Sequence, residues 1–202
     1  MSQPIKEATL SAVEIRDNLT SWELSRRLLS DSHFFINELG FYNKVEDSTV
    51  EAAYRADLVL ASDKLVGFEI KSEKDTLKRW EAQKQAYTNV FNEVWLCCHH
   101  KHSSKAIANT PDHIGLLVVD DANNIELVRK AVIGHGLNNT YDLSSMLWRE
   151  ELDELGALHG IKWKSRTNKK EVREILAVEL TLDTVMDFVI HKLNIRKNEV
   201  VV

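Results

Sequence analysis

The sequence predicts an α/β fold in which a mixed central sheet is flanked by helices and followed by a small all-helical C-terminal subdomain. Short apolar segments typical of strands alternate with segments of helical periodicity as far as Val128. After Asn138-Asn139-Thr140, every apolar pattern has helical spacing. We therefore expect a boundary near Gly134 to Thr140, which divides the chain into a core, residues 1–135, and a helical part, residues 140–202.

The core is expected to begin with a helical region over Asp17–Gly40, interrupted at Ser30-Asp31-Ser32 and ended by Gly40 as a C′ residue. Its apolar positions recur at near-helical spacing: Leu24, Leu28, Leu29, Phe35, Ile36 and Leu39. The later predicted strands are Tyr54–Leu60, Leu65–Lys71, Val94–Cys98, Ile114–Val119 and Ile125–Val128. The later predicted helices are Asp75–Phe91, Ser103–Asn109, Leu143–Leu158, Lys170–Leu180 and Leu182–Leu193.

Composition restricts the classes of function. The formal net charge is −5, which argues against a wholly basic nucleic-acid-binding surface but allows a local basic patch. No apolar run is long enough to cross a bilayer, so no membrane partner is expected. Met1 to Leu10 lacks the pattern of a secretory signal, and the adjacent Cys97 and Cys98 cannot build a disulfide framework. A cytoplasmic location is the simplest expectation.

The predicted hairpin Tyr54–Lys71 carries the strongest chemical signal. If it turns about Asp63, Asp57 and Glu69 lie equally far from its centre and become cross-strand neighbours. Lys71 follows Glu69 by two residues and shares its face. Two adjacent carboxylates repel each other unless a cation lies between them, and oxygen ligands suit Mg²⁺. The alternative is an ordinary solvated face on which Glu69 and Lys71 form an ion pair.

A family resemblance strengthens the catalytic interpretation. The string Phe68-Glu69-Ile70-Lys71-Ser72-Glu73 resembles the E-x-K strand of the PD-(D/E)XK nucleases, with Asp57 as the first acid. Gln83 and Tyr87 follow on the next helix with the Q-x-x-x-Y spacing of the RecB-type branch, whereas the rival Gln85 lacks a partner Tyr. The alternative for Tyr87 is a core aromatic residue. The Pro of the name motif is Ala56 in this chain.

The resemblance covers roughly Glu14 to Val119 and implies a restriction-endonuclease-like core that cuts DNA with Mg²⁺ or Mn²⁺. It implies that Asp57 and Glu69 bind the metal, that Lys71 is catalytic, and that Gln83 and Tyr87 position substrate or Lys71. It also implies a Glu from the preceding helix. Glu38 has the expected place there, with four rivals left open: Glu14, Glu23, Glu46 and Glu51. Such nucleases often dimerise, so a homodimer is allowed. The alternative function is a DNA-binding module that retains the fold without cutting.

Two further clusters of residues allow a metal-binding interpretation. Cys97-Cys98-His99-His100-Lys101-His102 suggests zinc, but adjacent cysteines on a strand face opposite ways and lack C-x-x-C spacing. We interpret them as buried cysteines that end a core strand before a polar loop. Asp120-Asp121 is interpreted as the start of a turn, because Asn123-Asn124 follows.

A basic run in the helical part predicts contact with DNA. Helix, basic loop and helix resemble SAP-like modules, and local positive charge in an acidic chain is typical of a phosphate-binding surface. The residues expected to bind DNA are Lys162, Lys164, Arg166, Lys169 and Lys170. The alternative is a helical appendage with a solvated basic loop.

Overall fold

The computed structural model describes residues 9–27, 33–45, 50–136 and 139–199 and contains one six-stranded sheet. Its strands are β1 (Phe34–Lys44), β2 (Glu51–Ala61), β3 (Leu65–Lys71), β4 (Glu93–His99), β5 (Gly115–Val119) and β6 (Ile125–Arg129). The helices are α1 (Ala12–Arg26), α2 (Trp80–Val90), α3 (Ser103–Asn109), α4 (Thr140–Leu143), α5 (Arg149–Leu158), α6 (Lys169–Glu179) and α7 (Leu182–Glu199). The predicted α/β class, with a mixed sheet flanked by helices, is confirmed.

The sheet has the strand order β1-β2-β3-β4-β5-β6. Strand β2 pairs antiparallel with both β1 and β3, whereas β4 pairs parallel with both β3 and β5. Helices α2 and α3 make the crossovers between the parallel strands. Strand β6 returns antiparallel to β5 at one edge, as predicted for Ile125–Val128. The carboxyl ends of the parallel strands β3, β4 and β5 therefore lie along the same end of the sheet.

Each face of the sheet has its own apolar core. On one face, Ile15 and Leu19 of α1 belong to a buried cluster with Leu58, Phe68 and other strand residues. On the opposite face, α2 and α3 share a second cluster with the C-terminal helices. Cys97 and Cys98 are free and buried in different clusters, which confirms that they face opposite sides.

The C-terminal part is all helical in its described residues, as predicted, and packs on the sheet through polar and apolar contacts. Its apolar residues belong to the same cluster as Tyr87 and Phe91. The buried Asp142 carboxylate accepts hydrogen bonds from Asn43 Nδ2 at 2.6 Å and from the Lys44 backbone at 2.8 Å. None of the described helices combines the length and the apolar character needed to span a bilayer.

The prediction of helix over Asp17–Gly40 was wrong in its second half, which forms β1. Leu28, Leu29 and Ser30–Ser32 lie outside the described residues. In β1, Leu39, Phe41 and Asn43 are buried while the residues between them are exposed, so the true period is two. Aromatic residues favour a strand, and ten of the eleven residues of β1 pair with β2, a long-range pairing that overrides the local helical spacing.

Two other helical boundaries were also wrong. Helix α2 begins at Trp80 rather than Asp75, because the Asp75 carboxylate accepts hydrogen bonds from the Ser72 backbone and hydroxyl and holds a turn. The predicted helix Leu143–Leu158 is interrupted between α4 and α5. There, Ser144 Oγ donates to the Tyr141 carbonyl three residues earlier, and the Tyr42 N–H makes a tertiary contact by donating to Ser145 Oγ.

Candidate active site

The hairpin formed by β2 and β3 has the predicted register. Leu58 lies opposite Phe68 and Val59 opposite Gly67, so the centre is Asp63. Asp57 precedes Leu58 on β2. Its side chain accepts a hydrogen bond from the Ile70 N–H on β3, with Asp57 Oδ2 2.7 Å from the nitrogen. The apolar residues beside it point to the α1 face. The Asp57 and Glu69 side chains consequently line one cavity on the other face.

Glu69 is the centre of a hydrogen-bonded group. Glu69 and Lys71 are each only 2% exposed, and the Lys71 amine forms an ion pair with the Glu69 carboxylate. Lys71 Nζ also lies 3.4 Å from Gln83 Oε1. The Tyr87 hydroxyl hydrogen-bonds to the other Glu69 oxygen. The structure therefore brings together all five predicted catalytic residues, three from the hairpin and two from α2.

Tyr87 is both a core aromatic residue and a member of the site. Its ring makes edge-on contacts with Phe41 and Trp80 and packs against Phe91. Its hydroxyl is directed to Glu69 and lies 3.1 Å from the Arg55 carbonyl. Burial is the largest cause, and the negative charge of Glu69 the second, of a Tyr87 pKa well above its usual value. The phenol is therefore a neutral hydrogen-bond donor that holds the Glu69 carboxylate in place.

The Asp57 carboxyl is electrostatically strained. Burial, and then the neighbouring charge of Glu69, raise its pKa from 3.8 to about 6. The Ile70 N–H and the positive charges of Lys71 and Arg55 oppose this rise without cancelling it. At neutral pH the positive charges near Asp57 therefore do not fully compensate its ionised carboxylate. A bound cation would supply the missing positive charge.

The cavity at this site has a volume of about 500 Å³ and gives access to the acids. Its lining residues are Ala53, Tyr54, Arg55, Asp57, Glu69, Arg79, Ala82 and Gln83. Arg55 and Arg79 were not predicted as site residues from the sequence. Arg55 could have been found because it precedes Asp57 by two residues on the same strand face, whereas nothing local singled out Arg79. Two acids beside two guanidinium groups suit a cation together with an anionic substrate.

The donor set fits a hard divalent cation. Among the described residues, no hydrogen-bond donor is found for Asp57 Oδ1, which is free to bind an ion. Each Glu69 oxygen accepts one hydrogen bond and keeps a lone pair. Carboxylate oxygens are the ligands that Mg²⁺ and Mn²⁺ prefer, so Asp57 and Glu69 would hold the predicted metal.

Glu38 does not occupy the expected place, because it lies on β1 and not on a helix. Its φ of 56° is in the left-handed region, and its carboxylate is 3.1 Å from the Arg55 guanidinium with both side chains more than half exposed. In the part of the chain that the structure describes, the carboxylates of Glu38, Asp57 and Glu69 do not converge on one point. The edge-strand position of Glu38 directs it to solvent and Arg55.

The rival glutamates are committed elsewhere. Glu14 caps the first turn of α1 through Ser11. Glu23 is buried and bonded to Arg26 and Arg27. Glu51 forms an ion pair with Arg173, while Glu46 lies outside the described residues. Gly67, opposite Val59, leaves no open space at the site, because a Cβ at this position would lie 2.5 Å from the Phe91 ring.

The predicted DNA-binding residues lie on the loop between α5 and α6 and in the first turn of α6. Lys162, Lys164, Arg166 and Lys170 are exposed, whereas Lys169 is partly buried. Lys170 Nζ lies 3.3 Å from the Glu51 carboxylate, so its charge is partly compensated. Trp163 fixes the loop, since its ring packs against Gly156 and its Nε1 donates to Asp153 at 2.9 Å. The loop therefore presents Lys162, Lys164 and Arg166 to solvent from a defined position.

No solved structure matches the chain. It is similar to protein cII of Enterobacteria phage P4, with 28% identity over 180 residues. The alignment covers 88% of this chain and 64% of that protein, so the chain spans less than two thirds of its relative's length. The model of the family described as bacteriophage P4 protein cII matches residues 6–200. The chain therefore belongs to the bacteriophage P4 protein cII family.

Proposed function

We propose that this protein is a metal-dependent nuclease that hydrolyses phosphodiester bonds in DNA with Mg²⁺ or Mn²⁺. The observation that carries the proposal is the gathering of Asp57, Glu69 and Lys71 beside one accessible cavity. Strand pairing alone gives no reason to bury an ion pair next to a second carboxylate, because buried charges add little stability. Buried groups with shifted pKa values in a cavity are typical of functional sites.

Each residue has a distinct part in the proposed reaction. Asp57 and Glu69 would hold the cation, which would supply Lewis-acid polarisation of the phosphate and activation of water. The Lys71 amine orients the attacking water or stabilises the charge that grows on the phosphate. Gln83 fixes the Lys71 amine from α2, and the Tyr87 hydroxyl fixes Glu69.

The positively charged groups around the site favour a polyanionic substrate. Arg55 and Arg79 line the cavity that contains the acids. The exposed Lys162, Lys164 and Arg166 extend positive charge over a second surface. Phosphate contacts of this kind supply most of the affinity of DNA-binding proteins without choosing a sequence. The substrate we propose is DNA.

A second candidate function is a DNA-binding module that does not cut. It is favoured by the satisfaction of both Glu69 oxygens within the protein, by Lys71 and Tyr87. A purely structural ion pair would have the same contacts. In this case the basic loop would bind DNA, and the acids would have no role in turnover.

Plasmid cleavage separates the two candidates. Supercoiled plasmid is incubated with the full chain and Mg²⁺, Mn²⁺ or EDTA, and the test variants are Asp57→Asn and Lys71→Ala. The control is Lys105→Ala, which removes an exposed lysine on α3. The nuclease proposal requires metal-dependent cutting by the unmodified chain and the control, with loss in both test variants at unchanged circular dichroism. Binding without cutting supports the module, and absence of both contradicts both candidates.

A further inference from the structure

Two histidines and one aspartate meet at the carboxyl ends of β4 and β5. His99 ends β4, His100 follows it, and Asp121 lies two residues beyond β5. His99 Nε2 and His100 Nε2 lie 3.0 Å and 3.1 Å from the same oxygen, Asp121 Oδ1. Their potential ligand atoms all lie within 4.8 Å of one another, and no other such trio occurs among the described residues.

The trio combines a fixed buried ligand with two accessible ones. The His99 ring is 2% exposed, and its Nε2 is directed to Asp121. The side chains of His100 and Asp121 are 50% and 72% exposed. All three line a cavity of about 840 Å³ together with Thr9, Leu10, Glu73, Lys101 and Ala122. An ion can therefore reach the trio from solvent, and space remains for a further ligand.

The distances from the two histidine nitrogens to the Asp121 oxygen are close to the ligand spacing around a tetrahedral ion. Ligand bonds of about 2.0–2.2 Å place two ligands of a tetrahedral Zn²⁺ about 3.3 Å apart. The two nitrogen–oxygen distances of 3.0 and 3.1 Å need to lengthen only slightly. Two imidazole nitrogens and one carboxylate oxygen select a borderline transition metal over Mg²⁺, which prefers oxygen ligands alone.

We propose that His99, His100 and Asp121 form a binding site for a transition metal ion of the Zn²⁺ class, with its fourth position open to the cavity. The adjacent cysteines take no part, because both are buried in the apolar clusters. In the sequence, the histidines are adjacent to those cysteines, and Asp121 has the position of a turn residue. The turn does form, through hydrogen bonds between Asp120 and Asn124, and it carries Asp121 to the histidines.

The site is separate from the proposed nuclease centre. Among the described residues, the cavity at His99 and the cavity at Asp57 share no lining residue. Cys98 belongs to the cluster on the α2 face, so His99 faces the α1 side by strand alternation. Leu10, just before α1, lines the His99 cavity and supports this placement.

Metal binding through Nε2 requires His99 to carry its proton on Nδ1. In the structure, Nδ1 accepts a hydrogen bond from the Lys101 N–H at 3.4 Å. This contact is long and weak, so its loss opposes the binding of a metal only slightly. The binding of an ion removes the need for two imidazoles to donate to one carboxylate oxygen.

Zn²⁺ binding tests the proposal directly. The full chain is stripped with EDTA and titrated with Zn²⁺ by calorimetry, and Co²⁺ is used as an absorption probe of tetrahedral geometry. The test variants are His100→Ala and Asp121→Asn, whose exposed side chains can be changed without disturbing a core. The control is His159→Ala, an exposed histidine at the end of α5.

We expect one Zn²⁺ per chain, binding at least about tenfold weaker in both test variants, and no change in the control. The Asp57→Asn variant should retain Zn²⁺ binding, which keeps this outcome independent of the nuclease proposal. Failure of the unmodified chain to bind Zn²⁺ would overturn the inference. Equal affinity in the unmodified chain and both test variants would overturn it as well.

Discussion

Asp57→Asn should make the metal-free protein more stable while abolishing the proposed nuclease activity. The replacement keeps the shape and an oxygen that can accept the Ile70 hydrogen bond, but it removes the buried charge beside Glu69. A rise in the pKa of Asp57 from 3.8 to about 6 corresponds to about 3 kcal/mol of destabilisation of the folded state by the ionised group. The asparagine side chain has no charge, so the variant lacks this destabilisation.

The sign of the pH dependence follows from the raised pKa. Between pH 3.8 and about 6 the folded state binds more protons at Asp57 than the unfolded state, so the contribution of Asp57 to stability falls as pH rises. The contribution of the protonated carboxyl is complete below pH 3.8 and lost above about 6. The advantage of the variant should therefore be small near pH 4 and reach about 3 kcal/mol at pH 7.

Urea unfolding in EDTA at a series of pH values measures this difference. Asp187→Asn is the matched control, because it changes an exposed aspartate on α7 and should shift stability by less than about 0.5 kcal/mol. Saturating Mg²⁺ should stabilise the unmodified protein more than the variant, because the variant lacks one metal ligand. The difference in unfolding free energy between the two proteins should therefore decrease. An Asp57→Asn variant that is no more stable than the unmodified protein at pH 7, or whose stability advantage is the same at pH 4, would show that the Asp57 charge does not destabilise the fold.

Three further changes test neighbouring contacts. Tyr87→Phe removes the hydrogen bond to Glu69, so both the cleavage rate and stability should fall, stability by about 1–2 kcal/mol in urea unfolding; an unchanged rate would exclude a positioning role. Gly67→Ala brings a methyl group 2.5 Å from the Phe91 ring and should cost about 1–3 kcal/mol in the same assay, whereas a neutral effect would show that the ring can move. Lys164→Ala should weaken DNA binding for all sequences and reduce the salt slope by about 1 in fluorescence anisotropy; an unchanged slope would place the DNA elsewhere.

The hairpin could be predicted because its determinants are local. The turn at Ser62-Asp63-Lys64 and the alternation on both strands specify the register. The helical spacing from Gln83 to Tyr87 likewise places both side chains at the hairpin. The Arg79 position was not predictable, because it depends on how the turn after Ser72 leads into α2.

The errors occurred where long-range contacts decide the structure. Residues from Phe34 to Leu39 fit both a helical and a strand period, and only pairing with β2 selects the strand. Glu38 was consequently assigned to the wrong element. His99 and Asp121 are separated in sequence by α3 and β5, so only the parallel pairing of β4 with β5 brings them together.

We propose that the hairpin acids use a divalent cation to break DNA. The most direct test is the single-turnover cleavage rate of a labelled duplex in Mn²⁺, compared between the unmodified chain and the folded Asp57→Asn variant. We expect scission by the unmodified chain and a rate at least about a hundredfold lower in the variant. Equal rates in the two proteins, or intact duplex with both, would contradict the claim.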